Sequence, residues 1–327
     1  MTATQPQQME RALEGLRRYQ EAERQPSAPL MPPVAAARGA TLRDYGGDGA
    51  PLLFVPSLIN PPNVLDLPRD QSMLRWFAAQ HFHVLLLDWG GDSASRSAMS
   101  VGDHVHNIIV PLVRSLDRPP ALVGYCLGGT MAVAAAALAP VASVATIAAP
   151  WHFSGYPEPA RAMLRGLWET AQPAAAMLGV LPMEVLQSAF WSLDPERTVG
   201  KFQAFAEMPP TSAQARAFVT LEDWANDGPP IATAAAREMF EDFIGADLPG
   251  RGAWRVGDRA VDPAALPCPL LNIASTSDRV VPHATAIRAG ERIDLDQGHV
   301  GMIVGSQAKA CLWEPLAAWL SSAGATC

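Results

Sequence analysis

Short apolar runs, each closed by turn residues, recur through this 327-residue chain and constrain its fold more than any other feature. Leu52–Val55 ends at Pro56, Val84–Leu87 at Asp88-Trp89-Gly90-Gly91, and Ala121–Val123 at Gly124. Ser143–Ala149 ends at Pro150, and Leu270–Ala274 is a further run of the same kind. Runs this short, without polar alternation, suit strands buried on both faces of a parallel sheet. Helix-like stretches at 70–80, 103–116 and 130–139 separate them. Strand and helix therefore alternate, which predicts an α/β domain with an open, mostly parallel central sheet flanked by helices.

The rhythm stops between residues 151 and 262. That stretch is rich in Trp, Met, Phe and Pro, with helix-like pieces at 161–179 and 232–244, and the strand pattern resumes only near 268. We read it as a helical cap inserted into a core made of 41–150 and 263–327. Residues 7–23 have a helical composition, and Pro26, Pro29, Pro32 and Pro33 follow as breakers. Residues 1–40 are thus expected to form an N-terminal helix and a Pro-rich linker.

Composition narrows the functional classes. With 49% apolar residues the chain can bury a large core, and a net charge of −8 argues against a nucleic-acid binder. No run approaches the roughly 18 apolar residues of a membrane span, and no apolar stretch follows a basic start. Cys126, Cys268, Cys311 and Cys327 show no C-x-x-C spacing, so neither a metal site nor a disulfide framework is expected, and reduced thiols in the cytoplasm are the simpler expectation.

The sharpest local motif is Gly124-Tyr125-Cys126-Leu127-Gly128-Gly129-Thr130, which follows a strand and precedes a small-residue helix. This is the setting of the G-x-S-x-G nucleophile elbow of the α/β-hydrolase fold, with Cys in place of Ser. Flanking glycines let the chain turn sharply, and the helix N-terminus favours both a thiolate and a developing oxyanion. The bland alternative is a buried cysteine in a glycine turn.

An elbow of this kind calls for an acid after a late strand and then a histidine after the last one. Asp278, in Ser277-Asp278-Arg279-Val280-Val281-Pro282, and His299, in Gly298-His299-Val300-Gly301, stand in that order. The imidazole would take the thiol proton while the carboxylate orients it. Oxyanion donors are expected from the backbone of Leu127 and from Ser57 and Leu58 in the loop after the first run. Asn60, Tyr125 and His152 are candidates to line the substrate pocket. His81, His83, His104, His106 and His283 are read as structural or rim residues.

Together these residues resemble the polyhydroxyalkanoate (poly-3-hydroxybutyrate) synthase family. The resemblance rests on Leu53–Leu67, Val84–Gly90, Gly124–Thr130, Leu221–Pro229, Arg251–Pro269, Ser277–Pro282 and Gly298–Gly301, in matching order between about residues 50 and 320. It implies a Cys126–Asp278–His299 triad that polymerises (R)-3-hydroxyacyl-coenzyme A, growing the polyester on the cysteine. Coenzyme A would be the leaving group, with no bound cofactor. The length is that of the short members, which use a small partner subunit. The resemblance also admits a homodimer and a place at the granule surface. His152 stands where the family carries an acidic residue, and Phe243–Leu248 replaces an Asn-containing segment. A thioesterase or polyester depolymerase therefore stays open as an alternative. So does a non-catalytic paralogue that binds granules or the synthase.

Overall fold

The computed structural model describes residues 4–24, 30–67, 72–91, 94–193 and 195–324. Cys327 lies outside these residues. Eight strands form the central sheet: β1 Pro33–Ala37, β2 Ala40–Gly46, β3 Ala50–Val55, β4 Phe82–Asp88, β5 Ala121–Tyr125, β6 Ser143–Ile147, and, past the inserted segment, β11 Leu270–Ser275 and β12 Glu291–Leu295. Two small ribbons account for the intervening numbers, β7 Val180–Leu181 with β8 Ile231–Ala232 and β9 Arg255–Val256 with β10 Arg259–Ala260. The sheet order is β1-β2-β4-β3-β5-β6-β11-β12, parallel from β4 onwards and antiparallel at β1 and β2.

Every apolar run singled out in the sequence is one of these strands. Alternate residues along them feed different cores. Leu53, Val55, Leu85, Leu87, Leu122 and Val144 pack with Val101–Val113 and the helix Leu127–Leu138. Leu52, Phe54, Val84, Leu86, Val123 and Ala145 pack with Phe77, Trp313 and Leu316 on the other face. Both faces are covered, which is why the runs are apolar almost throughout; Thr146 and Asn272, buried inside two of them, are paired, with the Thr146 hydroxyl donating to Asn272 Oδ1 at 3.0 Å.

The Pro-rich linker is shorter than the sequence suggests, because its end forms the edge strand β1. Ala35–Ala37 pair with Ala40–Leu42 through a two-residue turn in which Arg38 (φ 50°) and Gly39 (φ 81°) both adopt positive φ. That conformation matches the twist of a hairpin, and proline is tolerated at the start of an edge strand.

Between β6 and β11 lie the helices Glu158–Leu178, Met183–Leu193, Pro195–Glu207 and Ala213–Asn226 and the helical stretch Thr233–Gly245, which widens to a π-helix from Glu238. The N-terminal helix Thr4–Glu21 packs on this inserted segment. A Cβ on Gly15 would meet the Phe202 carbonyl oxygen at 1.9 Å, so the two backbones touch there. Arg18 donates to the Ala206 and Met208 carbonyls, and Tyr19 donates to Asp223 at 2.6 Å. The helix is thus a strap across the insertion and not a free arm.

Candidate active site

Cys126 occupies the bend between β5 and the helix Leu127–Leu138. Its φ of 55° and ψ of −132° lie in a region that costs a non-glycine residue about 1–3 kcal/mol. Neighbouring contacts hold it there. The Cys126 amide donates to the Ile147 carbonyl at 2.9 Å, and its own carbonyl accepts from Gly129 N–H at 2.9 Å. The bend is tight because Gly124 and Gly128 carry no side chain. A Cβ on Gly124 would lie 2.4 Å from Gly129 Cα, and one on Gly128 would lie 2.1 Å from the Val55 carbonyl oxygen. Cys126 is half-buried at the N-terminus of a buried helix.

Asp278 and His299 reach this point from the loops after β11 and β12. Asp278 Oδ1 accepts the Val280 and Val281 amides at 2.8 and 2.9 Å, which fixes the carboxylate. Its Oδ2 stands 2.6 Å from His299 Nδ1. The same imidazole ring hydrogen-bonds the Cys126 side chain. Ser275 Oγ donates to the Gln297 carbonyl at 2.5 Å and stitches the acid and histidine loops together.

Both Asp278 and His299 are buried. Burial alone would lower the histidine's affinity for a proton. The Asp278 and Cys126 charges, with hydrogen bonds to both, outweigh it and hold the pKa up to about 10. The imidazolium is therefore the favoured state of His299 at neutral pH.

The loop after β3 runs beside the start of the nucleophile helix, as the Gly128 contact with Val55 and Pro56 requires. Ser57 is buried, its hydroxyl accepts the Ile59 amide at 3.2 Å, and Leu58 is buried too.

Asn60 is a tether to the inserted segment. Its side-chain amide donates to the Ala225 carbonyl at 3.3 Å, while the Trp224 indole donates to the Pro61 carbonyl at 2.7 Å. His152 is half-exposed at the end of β6. Its amide donates to the Thr285 carbonyl at 2.9 Å, and its side chain faces the Gly250 backbone, Asp247 and Arg288. Burial and the Arg288 charge lower its pKa. Tyr125 is buried, with its ring stacked on His299 at 5.1 Å.

The inserted segment touches all three loops that bear site residues. Besides the Trp224–Pro61 contact, Tyr156 donates to the Val280 carbonyl at 3.0 Å, two residues beyond Asp278. The Arg197 guanidinium lies 3.6 Å from where a side chain on Gly298 would begin. Nothing in a non-periodic insertion marks Tyr156 or Arg197 as turned towards the site, whereas Trp224 belongs to Leu221–Pro229, one of the stretches that carry the family resemblance.

The other histidines are engaged elsewhere. His104 is buried, with Nδ1 2.7 Å from the Ser100 carbonyl oxygen, and burial lowers its pKa to about 4. His81, His83 and His283 pair with Asp48, Asp44 and Asp294, and His106 contacts Asn107. Among the described residues no three His, Cys, Asp or Glu side chains are grouped to hold a metal ion. No described helix is long and apolar enough to cross a membrane.

A strained cysteine turn after the fifth strand, with an acid and a histidine converging from later loops, defines a class, and the family comparison agrees: residues 50–315 match the α/β-hydrolase fold family, to which the chain belongs. Within it, the similar curated proteins are poly(3-hydroxyalkanoate) polymerase subunits PhaC. That of Haloferax mediterranei is 27% identical over 84% of this chain and 59% of its own length; that of Thiocystis violacea is 26% identical over 83% and 80%. The chain thus spans about three-fifths of the length of the Haloferax protein. Among solved structures, BpoC of Mycobacterium tuberculosis H37Rv superposes with a TM-score of 0.55 at 16% identity, covering 91% of this chain and 99% of its own. A monoacylglycerol lipase of Paleococcus ferrophilus gives 0.51 at 14% identity, covering 87% and 99%. These two likenesses speak for the fold alone.

Proposed function

We propose that the chain is an acyltransferase that polymerises (R)-3-hydroxyacyl-coenzyme A through a thioester on Cys126. The observation that carries this reading is the His299 ring, held between the Asp278 carboxylate and the Cys126 sulfur and biased strongly towards the imidazolium. With the proton held on His299, the sulfur would act as a thiolate nucleophile. Its attack on the substrate thioester forms a new thioester and expels coenzyme A, which takes the proton of His299. The Leu127, Ser57 and Leu58 backbone would stabilise the oxyanion. The neutral imidazole then accepts the proton of an incoming 3-hydroxyl group. That oxygen attacks the Cys126 thioester, the ester bond forms, and the sulfur leaves as thiolate beside a restored imidazolium.

Sulfur suits this task, because exchanging one thioester for another is nearly neutral in free energy and the acyl group stays activated. The segment between β6 and β11, resting on the acid, histidine and Asn60 loops, would keep water from the acyl-enzyme. The PhaC-named relatives support the substrate class, and the cytoplasm or a granule surface is the setting that follows from it. A small partner subunit or a homodimer belongs to the same proposal.

The test is incubation of the purified protein with 3-hydroxybutyryl-coenzyme A, following free thiol and product size. Thiol release with polymer is the expected result. Thiol release with free hydroxy acid alone would identify a thioesterase. No thiol release, with a small synthase subunit also supplied, would leave the non-catalytic reading.

A further inference from the structure

Tyr125 is the residue before the nucleophile, yet it touches the base. Its ring lies over the His299 ring with centroids 5.1 Å apart and planes 28° from parallel. Its hydroxyl donates to the His299 carbonyl oxygen at 3.2 Å. It is buried, so neither contact competes with bulk water. The two contacts act on different parts of one residue. The hydroxyl fixes the backbone that carries the histidine, and the ring sets the surface its imidazole rests on.

We propose that Tyr125 is a positioning residue for His299, holding the imidazole in line with Cys126 and Asp278 and favouring its protonated form through the electron-rich face of the phenol ring. An aromatic face attracts a cation stacked on it, and more strongly where water is excluded. The stack does not discriminate between the two states of the thiol. It acts on the step in which imidazolium becomes imidazole, and so opposes loss of the proton until the departing coenzyme A thiolate takes it. The elbow's variable position thereby couples the nucleophile's bend to the base's loop. This inference rests on the reading of His299 as the base, and its test needs no acyl substrate.

The groups that face His299 are Asp278 from the loop after β11, Cys126 from the elbow and Tyr125 from β5, with Arg197 of the helix Pro195–Glu207 against the preceding Gly298. Tyr156, which feels the charges of both Cys126 and Asp278, borders the same cluster. Of these, Tyr125 alone offers the ring a recorded aromatic face.

The experiment is an NMR titration of His299 in the full chain carrying isotope-labelled histidine, with the resonance assigned by its loss in His299→Gln. Tyr125→Phe keeps the ring, and its midpoint is expected to stay within about threefold of the parent in proton affinity. Tyr125→Leu removes the ring and is expected to lower the affinity by about tenfold, one pH unit. Should Tyr125→Leu fail to fold, ring-fluorinated phenylalanine at position 125 keeps the shape while withdrawing electron density, and the midpoint should fall relative to Tyr125→Phe. An unchanged midpoint in Tyr125→Leu or in the fluorinated protein overturns the proposal. Absence of polymer from the parent protein would overturn the proposed function and leave this result standing.

Discussion

At the scale of single residues, the site is three side chains whose charges are set by one another. Asp278 is held by two amides and so faces His299 in one orientation. Asp278→Asn would keep the shape but remove the charge that offsets burial. The His299 pKa is then expected to fall from about 10 towards and below its ordinary value, and turnover to drop by about a thousandfold or more. The pH dependence of thiol release checks this; an unshifted profile with full turnover would exclude Asp278 from the role. The convergence of Cys126, Asp278 and His299 is legible because their order along the chain follows the fold's logic. Position beside the elbow, for Tyr125, and in the loop after β3, for Asn60, is what marks these two as pocket candidates in the sequence. Their actual contacts, a ring stack and a tether to Ala225, depend on parts of the chain more than a hundred residues away.

Among the elements, legibility followed burial. β3, β6 and β11 are buried almost throughout, and their apolar runs announce them. β12, with the sequence ERIDL, lies at an edge and buries only Leu295. β1, the opposite edge strand, is mostly exposed, and its neighbour β2 is mostly half-exposed. Nothing in a local window separates such strands from a surface loop. The inserted segment posed a different difficulty, since its helices are readable but their docking is not. Gly15 is a sharp probe of one docking. Gly15→Leu cannot fit against the Phe202 backbone, so the N-terminal helix should separate from the helix Pro195–Glu207. Faster proteolysis of the first 24 residues and a loss of about 1–3 kcal/mol in urea unfolding are expected. Unaltered cleavage would show that this contact does not hold the helix.

For the whole molecule, the raised pKa of His299 ties stability to pH. The folded protein keeps a proton that the unfolded chain releases above about 6.5, so folding takes up a proton between about 6.5 and about 10. The stabilisation is complete below that window and is lost as pH rises through about 10. The parent protein should therefore lose unfolding free energy more steeply across the window than His299→Gln, with a difference of at most one proton. Urea unfolding at several pH values measures the slopes; equal slopes would mean that His299 is not held protonated.

The proposed function places the chemistry on one sulfur among four. Intact-mass and peptide analysis after brief exposure to 3-hydroxybutyryl-coenzyme A tests that most directly. The account predicts a hydroxyacyl adduct on Cys126 in the parent protein. It predicts neither adduct nor coenzyme A release in a folded Cys126→Ala variant, while Cys268→Ala, Cys311→Ala and Cys327→Ala react as the parent does. Full coenzyme A release by Cys126→Ala, or an adduct carried on another cysteine, would contradict it.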